Sequence, residues 1–252
     1  NNPKPSRNEA LEYYRRVATS NNLQINLYEE ILNAQKTEDG FKINSSKKSY
    51  TAKNIIVCTG FYDIPKLLDV PGENLPKVMH YYTEAHPFVM QKVIVVGASN
   101  SSVDAALEIY RKGGDVTMVV RGPQIGERVK YWVKPDIENR IEEGSIKVFF
   151  NSEITEITNN SVIIKTPEGT KTLDNNFVIA LTGYKPNFKL LQTLGVTLSE
   201  DENKIPTYNP DTMESNVKGL YLAGVICGGM ETHKWFIENS RIHAKIILEN
   251  IK

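Results

Sequence analysis

Six small or short residues, Gly97-Ala98-Ser99-Asn100-Ser101-Ser102, separate an apolar run, Lys92–Val96, from a stretch with apolar residues at 103, 106, 107 and 110. That order reads as buried strand, tight loop and helix start, an arrangement in which free backbone amides face an anion. Against Gly-x-Gly-x-x-Gly only the first glycine, Gly97, remains, and it is the one that the tight turn requires. Ser99 is small enough to let backbone approach a pyrophosphate, and Ser102 small enough for close helix–strand packing. Ser101 with Asp104 spells an expected capping box, for a helix expected over Val103–Lys112. Gly113-Gly114 closes that helix, and Val116–Val120 is the next expected strand.

The end of this second strand meets the adenosine ribose in a dinucleotide-binding unit. An acidic residue there suits a ribose 2′-hydroxyl, whereas a 2′-phosphate needs positive charge. Arg121 stands at that place, with Arg128 and Lys130 following in RGPQIGERVKYW. NADP(H) is expected over NAD(H).

Other reactive groups are few. The two cysteines, Cys58 and Cys227, lie in apolar segments, and the sequence contains no CxxC. Cys227, in a glycine-rich loop, reads either as a redox thiol or as a small buried hydrophobe; Cys58 reads as structural, in a buried strand. His80, His86, His233 and His243 lack metal-ligand spacing, and no metal site is expected.

The surrounding elements follow from pattern. Ser6 and Glu9 form a capping box for an amphipathic helix over Arg7–Ser20, followed by an expected strand around Gln24–Tyr28. Ile31–Ala34, Phe41–Asn44 and Ser49–Ala52 are short strands of an antiparallel meander, with a turn at Asp39-Gly40. Ile55–Cys58 is an apolar run before Thr59-Gly60, and Phe177–Leu181 is another before Thr182-Gly183-Tyr184-Lys185-Pro186. Both read as buried parallel strands that end in tight turns. Leu220–Ala223 precedes a loop through Gly224, Gly228 and Gly229, with a closing helix from about Phe236.

Composition bounds the class. The chain has 252 residues, 40% hydrophobic and 24% charged, with 30 basic against 30 acidic side chains. An α/β protein of one large or two smaller domains fits this length. Zero net charge gives no reason to expect nucleic acid, and no apolar run reaches membrane-spanning length, so a soluble, cytoplasmic protein without a membrane partner is expected.

The order strand-Thr-Gly, nucleotide fingerprint, strand-Thr-Gly-Tyr-x-Pro and strand-Ala-Gly resembles the pyridine nucleotide–disulfide oxidoreductase superfamily, in its thioredoxin reductase branch. The segments NEALEYYR, LPKVMHYYTEAHPF, GASNSSVDAALE, YLAGVICGG and FIENSR are most similar to the bacillithiol-disulfide reductase type of flavoprotein. The resemblance implies two Rossmann-like dinucleotide-binding domains, the NAD(P)H domain (91–207) inserted into an FAD domain (1–90 and 208–252) that lacks its first βαβ unit and glycine motif. It further implies an FAD- and NADPH-dependent reductase, a likeness to homodimeric relatives, and a small-molecule disulfide or small redox protein as acceptor. Thr59, Gly60, Gly224 and Val225 would lie on the FAD side, and Gly183 and Tyr184 on the NADPH side; His86 would approach the flavin or serve as a linker residue.

The departures matter too. The segment before the fingerprint, VMHYYTEAHPFVMQK, lacks the CxxC of thioredoxin reductases, and Val225 stands where most of the superfamily has Asp. The cysteine associated with disulfide reduction in the bacillithiol type lies in the N-terminal glycine motif, so no catalytic residue is transferred. Ferredoxin–NADP reductase-like electron transfer, and a nucleotide-binding module without turnover, stand as alternatives.

Overall fold

The computed structural model describes residues 5–251. The chain folds into two compact units: one takes the residues up to Val57, Phe188–Ala223 and those from Glu238 onward, and the other takes Cys58–Asn187 and Gly224–Ile237. Both mix helices and strands.

The larger unit is built on a five-stranded, wholly parallel sheet. Its spatial order is Val78–Met79, Phe177–Ala180, Lys92–Val96, Asp115–Val119 and Lys147–Phe149. Helix Asn100–Arg111 connects the third strand to the fourth, and Lys134–Glu142 the fourth to the fifth. Both faces of this sheet are covered, which explains the aliphatic strands: Val93 and Val95 pack with the crossover helices, and Ile94 and Val96 with Ile154, Ile157, Val162 and Ile164. Helix Asn100–Arg111 contributes Val103, Ala105, Ala106, Leu107 and Ile109 to the same core, each at most 1% exposed. Complete burial of a side chain such as Leu107 or Ile109 is worth about 1.5–3 kcal/mol.

The helix begins at Asn100, three residues before the expected start. Its N-cap is Ser99, in extended conformation and without a side-chain capping bond, so the Ser101–Asp104 capping box does not form. Asp104 instead binds Lys130 Nζ at 2.6 Å. An ion pair to a neighbouring loop has taken the carboxylate that local sequence assigned to the cap.

An antiparallel three-stranded sheet, Glu153–Ile157, Ser161–Thr166 and Gly169–Asp174, sits between the last two parallel strands in sequence. The smaller unit holds the meander Ile31–Thr37, Gly40–Ser45 and Ser49–Ala52 in the expected antiparallel order, paired through Thr37–Gly40 at the turn. Helix Arg7–Ser20 forms with its full capping box: Ser6 N donates to Glu9 Oε2 at 2.7 Å and Glu9 N to Ser6 Oγ at 3.3 Å.

Two expectations fail in this unit. No strand forms at Gln24–Tyr28: these residues are exposed, and Tyr28 takes a left-handed φ of 53°, which breaks extended geometry. The run at Ile55 is a strand only to Val57, paired in parallel with Leu220–Leu222 and with no second neighbour among the described residues. Ile56 is therefore 44% exposed, and Cys58 lies exposed beyond the strand rather than within a buried one.

Candidate functional site

The parallel sheet places the fingerprint loop at a topological switch point. From Lys92–Val96 the chain proceeds to one neighbour, Asp115–Val119, while the other neighbour, Phe177–Ala180, arrives from much later in the sequence. Crevices outside the carboxyl ends of such strands are the usual ligand sites of open α/β sheets. Gly97 leaves one strand there, and Leu181-Thr182-Gly183 leave the other; Leu181 N donates to Val96 O at 3.0 Å.

Gly97 has φ +126°, and a Cβ built on it would lie 2.7 Å from Leu181 O and 3.2 Å from Ser102 Cβ. Both the conformation and the space require glycine. Ser102 is fully buried, its hydroxyl donating to Ser99 O at 2.9 Å, which fits the close-packing role expected for it. Ser99 and Ser101 are exposed. With no side-chain cap at Ser99, the first amides of a twelve-residue helix are open to an anionic ligand.

The basic segment lies against this loop. Gly126 N donates to Ala98 O at 2.9 Å, Asn100 Nδ2 donates to Arg128 O at 3.2 Å, and Lys130 N donates to Asn100 Oδ1 at 2.9 Å. The three expected cations thus differ in state. Lys130 is held by Asp104, whereas the exposed Arg121 and Arg128 have no carboxylate partner among the described residues. Asn100 spends its amide on the loop.

Beside Gly183, with φ +100°, Thr182 Oγ1 donates to Lys66 O at 2.5 Å and Lys66 N to Gly183 O at 2.9 Å. Tyr184 is buried; its hydroxyl meets His80 O at 2.6 Å and Tyr62 Oη at 3.1 Å. Burial drives its ionisation upward, so the phenol stays protonated. Tyr184, Tyr62 and Tyr81 form a ring cluster, with centroids 4.0 Å apart for Tyr62–Tyr184 and 5.2 Å for Tyr81–Tyr184. Near it, the buried Glu73 carboxylate accepts from Leu68 N at 2.6 Å and Asp69 N at 2.8 Å, with His80 Nε2 at 3.6 Å. Sequence reasoning missed this cluster, as well as Gly126; only the Tyr-Tyr pair at 81 and 82 hinted at it.

The remaining expected residues separate by exposure. Gly60 and Gly224 have φ +73° and +77°, and a Cβ on either would meet nothing within 4 Å, so both border open space. Thr59 is exposed and Val225 half-buried. Cys227 is completely buried, and burial, with Cys58 as a lesser cause, pushes its thiol up to about 12. It remains a thiol at neutral pH and is a poor nucleophile. His86 is exposed beside Glu84, its Nδ1 3.3 Å from Oε2. Among the described residues no three His, Cys, Asp or Glu side chains form a metal-binding group, and no helix is long and apolar enough to cross a membrane.

Known proteins are similar to this chain in sequence and fold. The family model described as pyridine nucleotide-disulphide oxidoreductase matches residues 1–224. Bacilliredoxin reductase Bdr of Bacillus subtilis (strain 168) is 40% identical, with 99% of this chain and 78% of that protein covered. Among solved structures, the bacillithiol disulfide reductase Bdr (YpdA) from Bacillus cereus superposes with a TM-score of 0.94 at 39% identity, covering 98% of this chain and 78% of that one. Thioredoxin reductase of T. acidophilum shares the fold, with a TM-score of 0.76 at 22% identity over 95% of this chain and 79% of its own. With a glycine-dependent loop at a switch point, a mixed α/β fold and these relatives, the chain belongs to the pyridine nucleotide-disulphide oxidoreductase family and is an oxidoreductase.

Proposed function

We propose that this protein passes reducing equivalents from NADPH through FAD to a low-molecular-weight disulfide. The observation that carries the nucleotide assignment is that Arg121, just after strand Asp115–Val119, and Arg128, whose backbone oxygen accepts from Asn100 at the helix start, are both exposed and without a carboxylate partner among the described residues. A 2′-phosphate matches such guanidiniums by charge and by bidentate geometry. The amides at the exposed Ser99 and Ser101 would hold the pyrophosphate, with Gly97 keeping side-chain atoms out of its path and buried Ser102 packing the helix close to the strand. Gly183, with Tyr184 locked beneath it, would shape the nicotinamide end. Thr59, Gly60, Gly224 and Val225 would face the flavin, offering backbone groups where no side-chain carboxylate is present. When bound, nicotinamide and flavin supply the hydride chemistry; the protein binds, orients and excludes water.

In this reading residues 91–207 carry the NADPH domain, and 1–90 with 208–252 the FAD domain, two Rossmann-like units in a homodimeric cytoplasmic enzyme. The parallel sheet also draws its edge strand, Val78–Met79, from before residue 91. The acceptor follows from the relatives named for bacillithiol disulfide and bacilliredoxin. A second acceptor, ferredoxin, is favoured by the ferredoxin–NADP reductase of Ignicoccus hospitalis, 28% identical over 206 residues.

The test is the visible spectrum of the purified protein before and after anaerobic NADPH, followed by bacillithiol disulfide or oxidised ferredoxin. Flavin bands that bleach with NADPH and return with the disulfide are expected. Return with ferredoxin alone would replace the acceptor, and absence of both flavin and NADP⁺ binding would overturn the reading.

A further inference from the structure

We propose that Asn100 is a positioning residue that sets NADP(H) over NAD(H) selectivity by fixing the backbone beneath Arg128. The proposal rests on the NADPH site described above. Its ground is the use of both ends of the Asn100 amide within the protein: Nδ2 donates to Arg128 O at 3.2 Å, and Oδ1 accepts from Lys130 N at 2.9 Å. A carboxamide bonded through one N–H to residue 128 and through its oxygen to residue 130 is fixed in orientation and bridges the two residues.

Two further ties bear on the same segment. Gly126 N donates to Ala98 O at 2.9 Å, and a Cβ at Gly126 would lie 2.7 Å from that oxygen, so only glycine lets the loop approach this closely. Lys130 Nζ binds Asp104 Oδ2, one helical turn after Asn100. The segment 126–130 is thereby fastened at both ends and in the middle along the start of helix Asn100–Arg111. Between the ties, the Arg128 side chain is exposed and has no carboxylate partner among the described residues. A long cation binds a phosphate tightly only when its base is fixed, because the entropy of ordering the loop is then spent in folding and not in binding. Asn100 supplies that fixing at the residue where it matters most.

The consequence is a selectivity that a direct ligand would not produce. NADP⁺ and NAD⁺ share the pyrophosphate and differ at the 2′-phosphate. A lost pyrophosphate ligand weakens both, whereas a loosened Arg128 weakens NADP⁺ alone.

The experiment is a double-mutant cycle read by calorimetric titration of the full chain with NADP⁺ and with NAD⁺, for wild type, Asn100→Ala, Arg128→Ala and the double variant. Asn100→Ala is expected to weaken NADP⁺ about tenfold and NAD⁺ less than about twofold. In the Arg128→Ala background the effect of Asn100→Ala on NADP⁺ should fall below about twofold. Asn100→Asp provides a second variant that retains the acceptor for Lys130 N but has no donor for Arg128 O, and it should show the same NADP⁺-selective loss. Equal weakening of both nucleotides, or multiplicative effects of the two alanine substitutions, would overturn the proposal. Failure of the wild type to bind either nucleotide would instead overturn the NADPH site, and the proposal with it.

Discussion

Replacing Gly97 by alanine tests the geometry of the fingerprint loop through stability, without any ligand. A residue with a side chain at φ +126° gives up about 1–2 kcal/mol in backbone conformation. The new Cβ would also sit 2.7 Å from Leu181 O, a backbone atom tied by its own amide to Val96, and forcing that contact apart adds about 1–3 kcal/mol. A loss near 3 kcal/mol is therefore expected, which at a urea slope of about 3 kcal/mol/M lowers the unfolding midpoint by about 1 M. Gly113→Ala is the internal control: its φ is +89°, but a Cβ there meets nothing within 4 Å, so only the conformational part, about 1 kcal/mol, should appear. Urea unfolding followed by circular dichroism measures both at unchanged slope. Equal losses in the two variants, or a smaller one at Gly97, would refute the claim that close approach to Leu181 is what demands glycine at the loop.

Other consequences are open to equally direct measurement. Tyr184→Phe removes the hydroxyl that donates to His80 O at 2.6 Å and should cost about 1–2 kcal/mol, seen as a lower melting temperature; an unchanged one would deny the bond its role. At pH 7.5 iodoacetamide should modify exposed Cys58 and spare Cys227, whose thiol is pushed up to about 12; mass spectrometry showing Cys227 alkylated at a similar rate would contradict its burial. Burial holds the His243 imidazole below its ordinary value, so the unfolded chain takes up its proton first as pH falls. The stability that the neutral imidazole contributes is complete above the unfolded value of about 6.5 and is lost as pH drops through the lower folded value. His243→Asn should flatten the pH dependence of stability in that window, and an identical slope would remove His243 as its source.

The legible part of the site was the part encoded in contiguous residues. Gly97 could be read because a strand, a turn needing positive φ and a helix follow one another without interruption, and strand Lys92–Val96 lies where its aliphatic run placed it. The Ser6–Glu9 box was equally local, and it formed with both of its bonds. The Ser101–Asp104 box, with Asp in place of Glu, did not form. The N-cap is Ser99, two residues earlier, so Ser101 lies within the helix, and the Asp104 carboxylate binds Lys130, twenty-six residues away. Likewise Gln24–Tyr28 has strand-like residues but no partner strand to pair with among the described residues, and period alone does not make a strand.

By itself, then, the sequence determined the local pattern: a tight strand-to-helix turn that needs glycine, positive charge at the end of the following strand, and an ordered set of Thr-Gly and Ala-Gly turns. These depend on neighbours in the chain, and local sterics and charge decide them. Tertiary structure decided which groups remain available. It showed that Lys130 is already paired while Arg121 and Arg128 have no carboxylate partner among the described residues, that Asn100 bonds residues 128 and 130, that Cys227 is sealed in and Cys58 exposed, and that the Tyr184 hydroxyl meets His80 and Tyr62. Each of these is a competition among groups distant in sequence for the same few bonds, and only the folded arrangement of the sheet and its loops settles who wins.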